Sequence, residues 1–147
     1  MPTIRKLAGL AAIVLLITAT LCRAGGILNA NTAAGEQLLA LPHLSDTLVA
    51  SILQHRPFAT VGDLHRHLRA DLDEQQLEEL YAHVFVPLKL NSAADADIQL
   101  IPGVGRKMAH EFEEYRPYTS MQQFRREIGK YVDENEVARL EQYVVLE

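Results

Sequence analysis

Between residues 28 and 147 the apolar side chains recur three and four positions apart in short runs, the period of helices that bury one face. No stretch there alternates apolar and polar residues with period two, so no strand is expected and the fold class reads as all-α. Start signals separate the runs. Thr60 with Asp63, Asp73 with Gln76, Ser120 with Gln123 and Asp133 with Glu136 have capping-box spacing, while Thr32 and Ser92 precede the first run of each half. The periodicity assigns Leu38, Leu41, Leu48, Ile52, Leu64, Leu68, Leu77, Leu80 and Val84 to a core. Ile98, Ile101, Met108, Phe112, Phe124, Ile128, Val137, Leu140 and Val144 mirror them.

That mirroring is an internal duplication. At a constant offset of 60 residues, Asn31 falls on Asn91, Ala33-Ala34 on Ala93-Ala94 and Pro42 on Pro102. Arg56-Pro57-Phe58 likewise falls on Arg116-Pro117-Tyr118, and Asp73-Glu74 on Asp133-Glu134. A gapless offset implies two copies of one supersecondary unit. The units are 28–87 and 88–147, each of about four short helices, with Pro87 at the join.

One stretch, Leu100 to Ala109, carries candidate chemistry. Pro102 interrupts a helix, Gly103 and Gly105 permit backbone angles that a side chain would forbid, and Met108, Ala109, Phe112 and Tyr115 resume helical spacing. Gly105 and Arg106 should therefore open a helix whose first amides lack internal partners, with Val104 turned into the core. Such amides beside Arg106 and Lys107 suit a phosphate. An ordinary tight turn, its glycines merely relieving steric strain, accounts for the same residues.

The N-terminal segment bears on the compartment. Arg5 and Lys6 precede an uncharged run from Leu7 to Cys22, followed by Arg23, Ala24 and Gly25, the layout of a signal peptide over residues 1–24. An uncleaved anchor in the inner membrane is the competing reading. The protein is accordingly expected to be periplasmic or secreted, or else anchored. Cys22 is the sole cysteine and falls in that segment, so disulfide and thiol chemistry are not expected in the remainder.

Charge constrains the partners. Three of the 14 basic residues lie in the leader and none of the 19 acidic ones does, which leaves 11 against 19, a net charge of −8. This disfavours strong non-specific nucleic-acid binding over the whole surface. Six histidines invite a metal reading, but His65 and His67, two apart on a helix, diverge, and no cysteine or carboxylate cluster completes a ligand set. No nucleophile elbow, His-Glu metal pair or P-loop is present, so the chain reads as no enzyme, with no cofactor, metal or small-molecule substrate.

In order and spacing, Leu-Asn-Ala-Asn-Thr-Ala-Ala (Leu28 to Ala34), then Leu-Pro or Ile-Pro-Gly-Val-Gly, then Arg-Pro-aromatic, resembles the helix-hairpin-helix repeat of the ComEA family. Those proteins are exported DNA receptors of bacterial competence. The resemblance covers nearly all of residues 28–147 and implies two tandem helix-hairpin-helix domains. It also implies binding of double-stranded DNA through its backbone, in DNA uptake outside the inner membrane. Carried onto this sequence, the phosphate-binding positions are Gly103, Val104, Gly105, Arg106 and Lys107, with Arg125, Arg126 and Lys130 as further candidates on the third helix. There are departures. The first unit has His43-Leu44-Ser45-Asp46 at the hairpin, both glycines gone and an acid in place of Arg106. The connections at Arg69-Ala70-Asp71-Leu72 and Gly129-Lys130-Tyr131-Val132 lack a second Gly-x-Gly. The alternative function is a periplasmic protein-interaction or structural module, with a protein partner in the periplasm or membrane. In that case Phe58, Tyr81, Tyr118, Tyr131 or Tyr143 would offer an exposed apolar patch.

Overall fold

In the computed structural model, which describes residues 26–147, the chain is mostly helical. The segment read as a leader lies outside the described residues. The first repeat runs β1 (Leu28–Asn29), α1 (Gly35–Leu39), α2 (Asp46–His55), α3 (Val61–Leu68), α4 (Glu74–Tyr81) and β2 (Val84–Phe85). The second reproduces the order as β3 (Leu88–Lys89), α5 (Asp95–Ile98), α6 (Arg106–Glu114), α7 (Met121–Ile128), α8 (Glu134–Glu141) and β4 (Val144–Val145). The all-α class holds, with a correction in the four short strands. β1 pairs parallel with β2, Leu28 opposite Val84, and β3 with β4, Leu88 opposite Val144. Two residues are too few to display an alternation. Each pair clips together the two ends of its repeat, with flanking bonds such as Ala30 N to Phe85 O at 2.8 Å and Leu90 N to Val145 O at 3.0 Å.

Side-chain oxygens start most of the longer helices. Ser45, Thr60, Asp73, Ser120 and Asp133 each accept the amide three residues on. The reciprocal half of the capping box forms at Thr60, from Asp63, and at Asp73, from Gln76. In the second repeat it does not. Gln123 Oε1 accepts instead from the Thr119 amide at 2.9 Å, and Glu136 turns to Arg139. The first helix of each repeat follows Ala34 or Ala94 rather than Thr32 or Ser92. α5 ends at Ile98, ahead of the Pro102 break.

The duplicated Asn and Arg-Pro-aromatic residues have a structural task. Asn31 and Asn91 bond both backbone groups of Phe58 and Tyr118 respectively: Phe58 N donates to Asn31 Oδ1 at 2.8 Å and Tyr118 N to Asn91 Oδ1 at 2.6 Å. Arg56 donates to Ala33 O at 2.7 Å, and Arg116 to both Leu90 O and Ala93 O at 2.7 Å. Carbonyls in tight turns thus find donors that their own turn cannot supply. The peptide bonds before Pro57 and Pro117 are both cis.

Most of the expected core is buried, although Leu41, Leu48 and Met108 stay partly exposed because Val49 and Ala109 turn inward beside them. Tyr81, Phe85 and Tyr143 join the core. Phe85 meets Tyr143 edge-on at 4.9 Å between ring centres, and the Tyr143 hydroxyl donates to Tyr81 O at 3.0 Å. One continuous core therefore runs through the repeat boundary at Pro87. Of the five aromatics considered for an exposed patch, Phe58, Tyr81, Tyr118 and Tyr143 are buried and only Tyr131 is exposed.

Candidate nucleic-acid interface

The two hairpins share a backbone path and differ in what lines it. Gly103 adopts a φ of 79°, and His43, sixty residues earlier, adopts 64°, so the turn survives loss of its glycine. A non-glycine residue there costs about 1–2 kcal/mol, and His43 Nε2 lies 2.7 Å from Glu79 Oε2. The contact gives the histidine a partner in that conformation.

The helix that leaves each hairpin is where they diverge. In the first repeat the Ser45 hydroxyl accepts from Leu48 N at 3.2 Å, and Asp46 follows. In the second, Gly105 stands at the N-cap with extended backbone and no side-chain cap, so the first amides of α6 are left to solvent or an anion. Val104 is buried as expected, its amide bonded to Ile101 O at 2.9 Å. Arg106 and Lys107 are exposed beside those amides. The other cations of this repeat are bound up in ion pairs: Lys89 with Glu147, Arg116 with Glu113, Arg125 with Glu141, Arg126 and Lys130 with Glu127, and Arg139 with Glu136. Among the described residues, Arg106 and Lys107 enter no such pair.

Arg125, Arg126 and Lys130, the further candidates on the third helix and just after it, are thus paired with carboxylates. Arg125 and Arg126 line a separate groove between α7 and α8, while Lys130 lies over the Tyr115 ring at 4.8 Å. The Lys130 and Arg126 side chains bond to the Glu127 carboxylate and hold it below the usual carboxylate range. The Arg125 bond does the same for Glu141. Their charge is neutralised locally.

Arg139 is a functional candidate that sequence reasoning missed. From α8 its Nη2 donates to Pro102 O at 2.9 Å, and it sits 3.7 Å from where a Cβ on Gly103 would stand. Its position in the first repeat is held by Glu79. That acid-to-base exchange at the 60-residue offset was the available signal. At the two hairpins Asp46 and Glu79 thus give way to Arg106 and Arg139. Acids still flank the intact hairpin: Glu74 and Glu78 of α4 share a groove with residues 99–105. Glu111, buried and with Oε2 unpartnered, lines the recess beside Gly105 and Lys107. The positive field is accordingly local.

The histidines separate as their spacing implies. His65 Nδ1 lies 3.1 Å from the Tyr81 hydroxyl, and His67 Nε2 lies 2.9 Å from the Ser51 hydroxyl, with its ring 4.2 Å from that of His55. Among the described residues no three potential ligands come together around a metal position, and no helix is long and apolar enough to cross a membrane. No family model matches the chain, and neither the curated proteins nor the solved structures provide a match.

Proposed function

We propose that this protein is an exported, non-catalytic binder of double-stranded DNA that grips the phosphate backbone through the hairpin of its second repeat. One observation carries the reading: of two hairpins with the same backbone path, only the second opens an uncapped helix onto unpaired cations. Uncapped amides at a helix N-terminus favour an anion, and Arg106 and Lys107 add charge where those amides point. The resemblance to the ComEA family supports duplex DNA as the source of that anion and an encounter outside the inner membrane. Phosphate contacts orient a protein without reporting sequence, so duplexes of unrelated sequence should bind alike. With few contacts and flanking acids, the affinity belongs near the weak end of non-specific binding, a Kd on the order of 10⁻⁴ M.

Fluorescence anisotropy with two unrelated duplexes at low salt tests this. Lys107→Glu should leave thermal unfolding within about 0.5 kcal/mol of wild type, as exposed charge changes usually do. It should weaken both complexes equally and reduce the salt slope by about 0.9 for the lost contact. Binding of one duplex far above the other would contradict the backbone mechanism. A specific observation also favours the interaction-module reading: Arg125, Arg126 and Lys130 are spent on Glu127 and Glu141. No binding by wild type at low salt would move the function there.

A further inference from the structure

The groove between α7 and α8, about 580 Å³, is lined by Gln122, Arg125, Arg126, Val137, Ala138 and Glu141, among others. Sixty residues earlier these positions are Gly62, His65, Arg66, Leu77, Glu78 and Tyr81. In the first repeat that surface is a seat already taken. The second repeat's α5 and the turn after it lie against it: Ala96, Asp97 and Leu100 meet Gly62, His65 and Arg66, and residues 99–105 face Leu77, Glu78 and Tyr81. A Cβ on Gly62 would collide with Asp97 Oδ1. The described residues thus contain one filled example of a joint between repeats and, in the second repeat, the same surface with none of the described residues seated on it.

Exposed apolar side chains fall on both halves of the unfilled joint. Val145 and Leu146 are each 37% exposed, whereas their mates Phe85 and Val86 are 1% and 4% exposed inside the filled joint. Leu39, 43% exposed, stands where the second repeat has Gln99, a residue facing the filled seat. Three of the five exposed large hydrophobics among the described residues therefore sit where a joint would cover them.

We propose that the groove between α7 and α8 receives α1 and the first hairpin of a second copy of the chain, so that copies join head to tail through a repetition of the internal joint. The two sides have changed together. Gln122 replaces Gly62, but the side chain it would meet is Gln37 in place of Asp97, and two amides can each donate and accept. The Arg125–Glu141 ion pair replaces the His65–Tyr81 hydrogen bond at the same sixteen-residue separation. Leu39, in place of Gln99, would lie over Val137 and Ala138, where Ala138 stands in place of Glu78. Because the seat and the visitor are different surfaces, the contact is heterologous and leaves one of each unsatisfied at the ends of every open assembly.

Sedimentation without DNA tests this independently of the hairpin's ligand, using the chain as a bacterial host exports and processes it. The weight-average mass of wild type should climb past that of a dimer as concentration approaches the order of 1 mM. Leu39→Glu damages only the visitor and Ala138→Arg only the seat, so each alone should remain monomeric. Mixed in equal amounts they should form a one-to-one heterodimer that grows no further. Thermal melts establish that both variants are folded, and Gln122→Arg, also at an exposed position, replaces Ala138→Arg if that variant is not. Wild type that stays monomeric at the highest concentration overturns the proposal. So does self-association that both variants retain, or a mixture of folded variants that fails to pair.

Discussion

Arg139 and Glu79 hold the same position in the two repeats, and each fastens its helix to the hairpin beside it with the opposite charge. Glu79 meets the His43 imidazole, and Arg139 donates to the Pro102 carbonyl while gripping Glu136. One scaffold thus sets Asp46 and Glu79 at one hairpin and Arg106 and Arg139 at the same positions of the other. Duplication left the turn intact and let the two hairpins diverge in charge.

Replacing Arg139 with alanine should cost about 1–3 kcal/mol, because the Pro102 carbonyl loses its donor and Glu136 its partner. Contact with the Tyr143 ring, 5.8 Å from the guanidinium carbon, goes as well. Urea denaturation gives the loss, and hydrogen exchange should be faster in the amides from Val104 to Ala109 than in the first hairpin.

The Arg-Pro motif is a fold determinant, so Arg116→Ala should destabilise more than Arg56→Ala. Arg116 serves two backbone carbonyls and Arg56 one, with Arg56 Nε left without a partner. About 2–3 kcal/mol is expected for Arg116, and about half that for Arg56, at roughly 1–1.5 kcal/mol per orphaned carbonyl. Equal losses in thermal melts would refute this division of labour.

Stability should also fall on mild acidification. Burial, and then the neighbouring His55, hold His67 below its ordinary value of 6.5, against a smaller opposing effect of Asp71. The unfolded chain therefore binds the proton more readily, and stability present above pH 6.5 is lost as pH falls through the folded value. The carboxylates held low by Arg139, Arg125 and His43 lose their contribution only below about 4.5. Melting temperatures between about pH 5 and 7 should decline for wild type and stay flat for His67→Gln.

Helices, repeat length and hairpin were legible because each rests on local chemistry: apolar spacing, cap residues, and a proline between glycines. The strands were not, since a two-residue pairing between Leu28 and Val84 leaves no periodic trace. The role of Arg125, Arg126 and Lys130 was invisible for another reason. Whether a cation is free or spent depends on Glu141, sixteen residues away, and on how Glu127 turns. Arg139 could have been found by asking where charge reverses between the repeats. The joint that buries Phe85 while exposing Val145 required coordinates, because the two valine-rich strand ends look alike in sequence.

Gly105→Ser tests the central claim most directly, because stability and binding should then move in opposite directions. A Cβ at Gly105 meets nothing within 4 Å, and the first repeat shows a serine in this position capping its own helix. The hydroxyl should therefore leave stability unchanged or raise it by a few tenths of a kcal/mol, as serine in place of an N-cap glycine does. It should at the same time occupy the amides offered to phosphate. The account predicts a melting temperature equal to or above wild type, with duplex affinity at low salt reduced about threefold to tenfold, or roughly 0.7–1.4 kcal/mol. Undiminished affinity in this well-folded variant would contradict it, and the hairpin would then be a turn and nothing more.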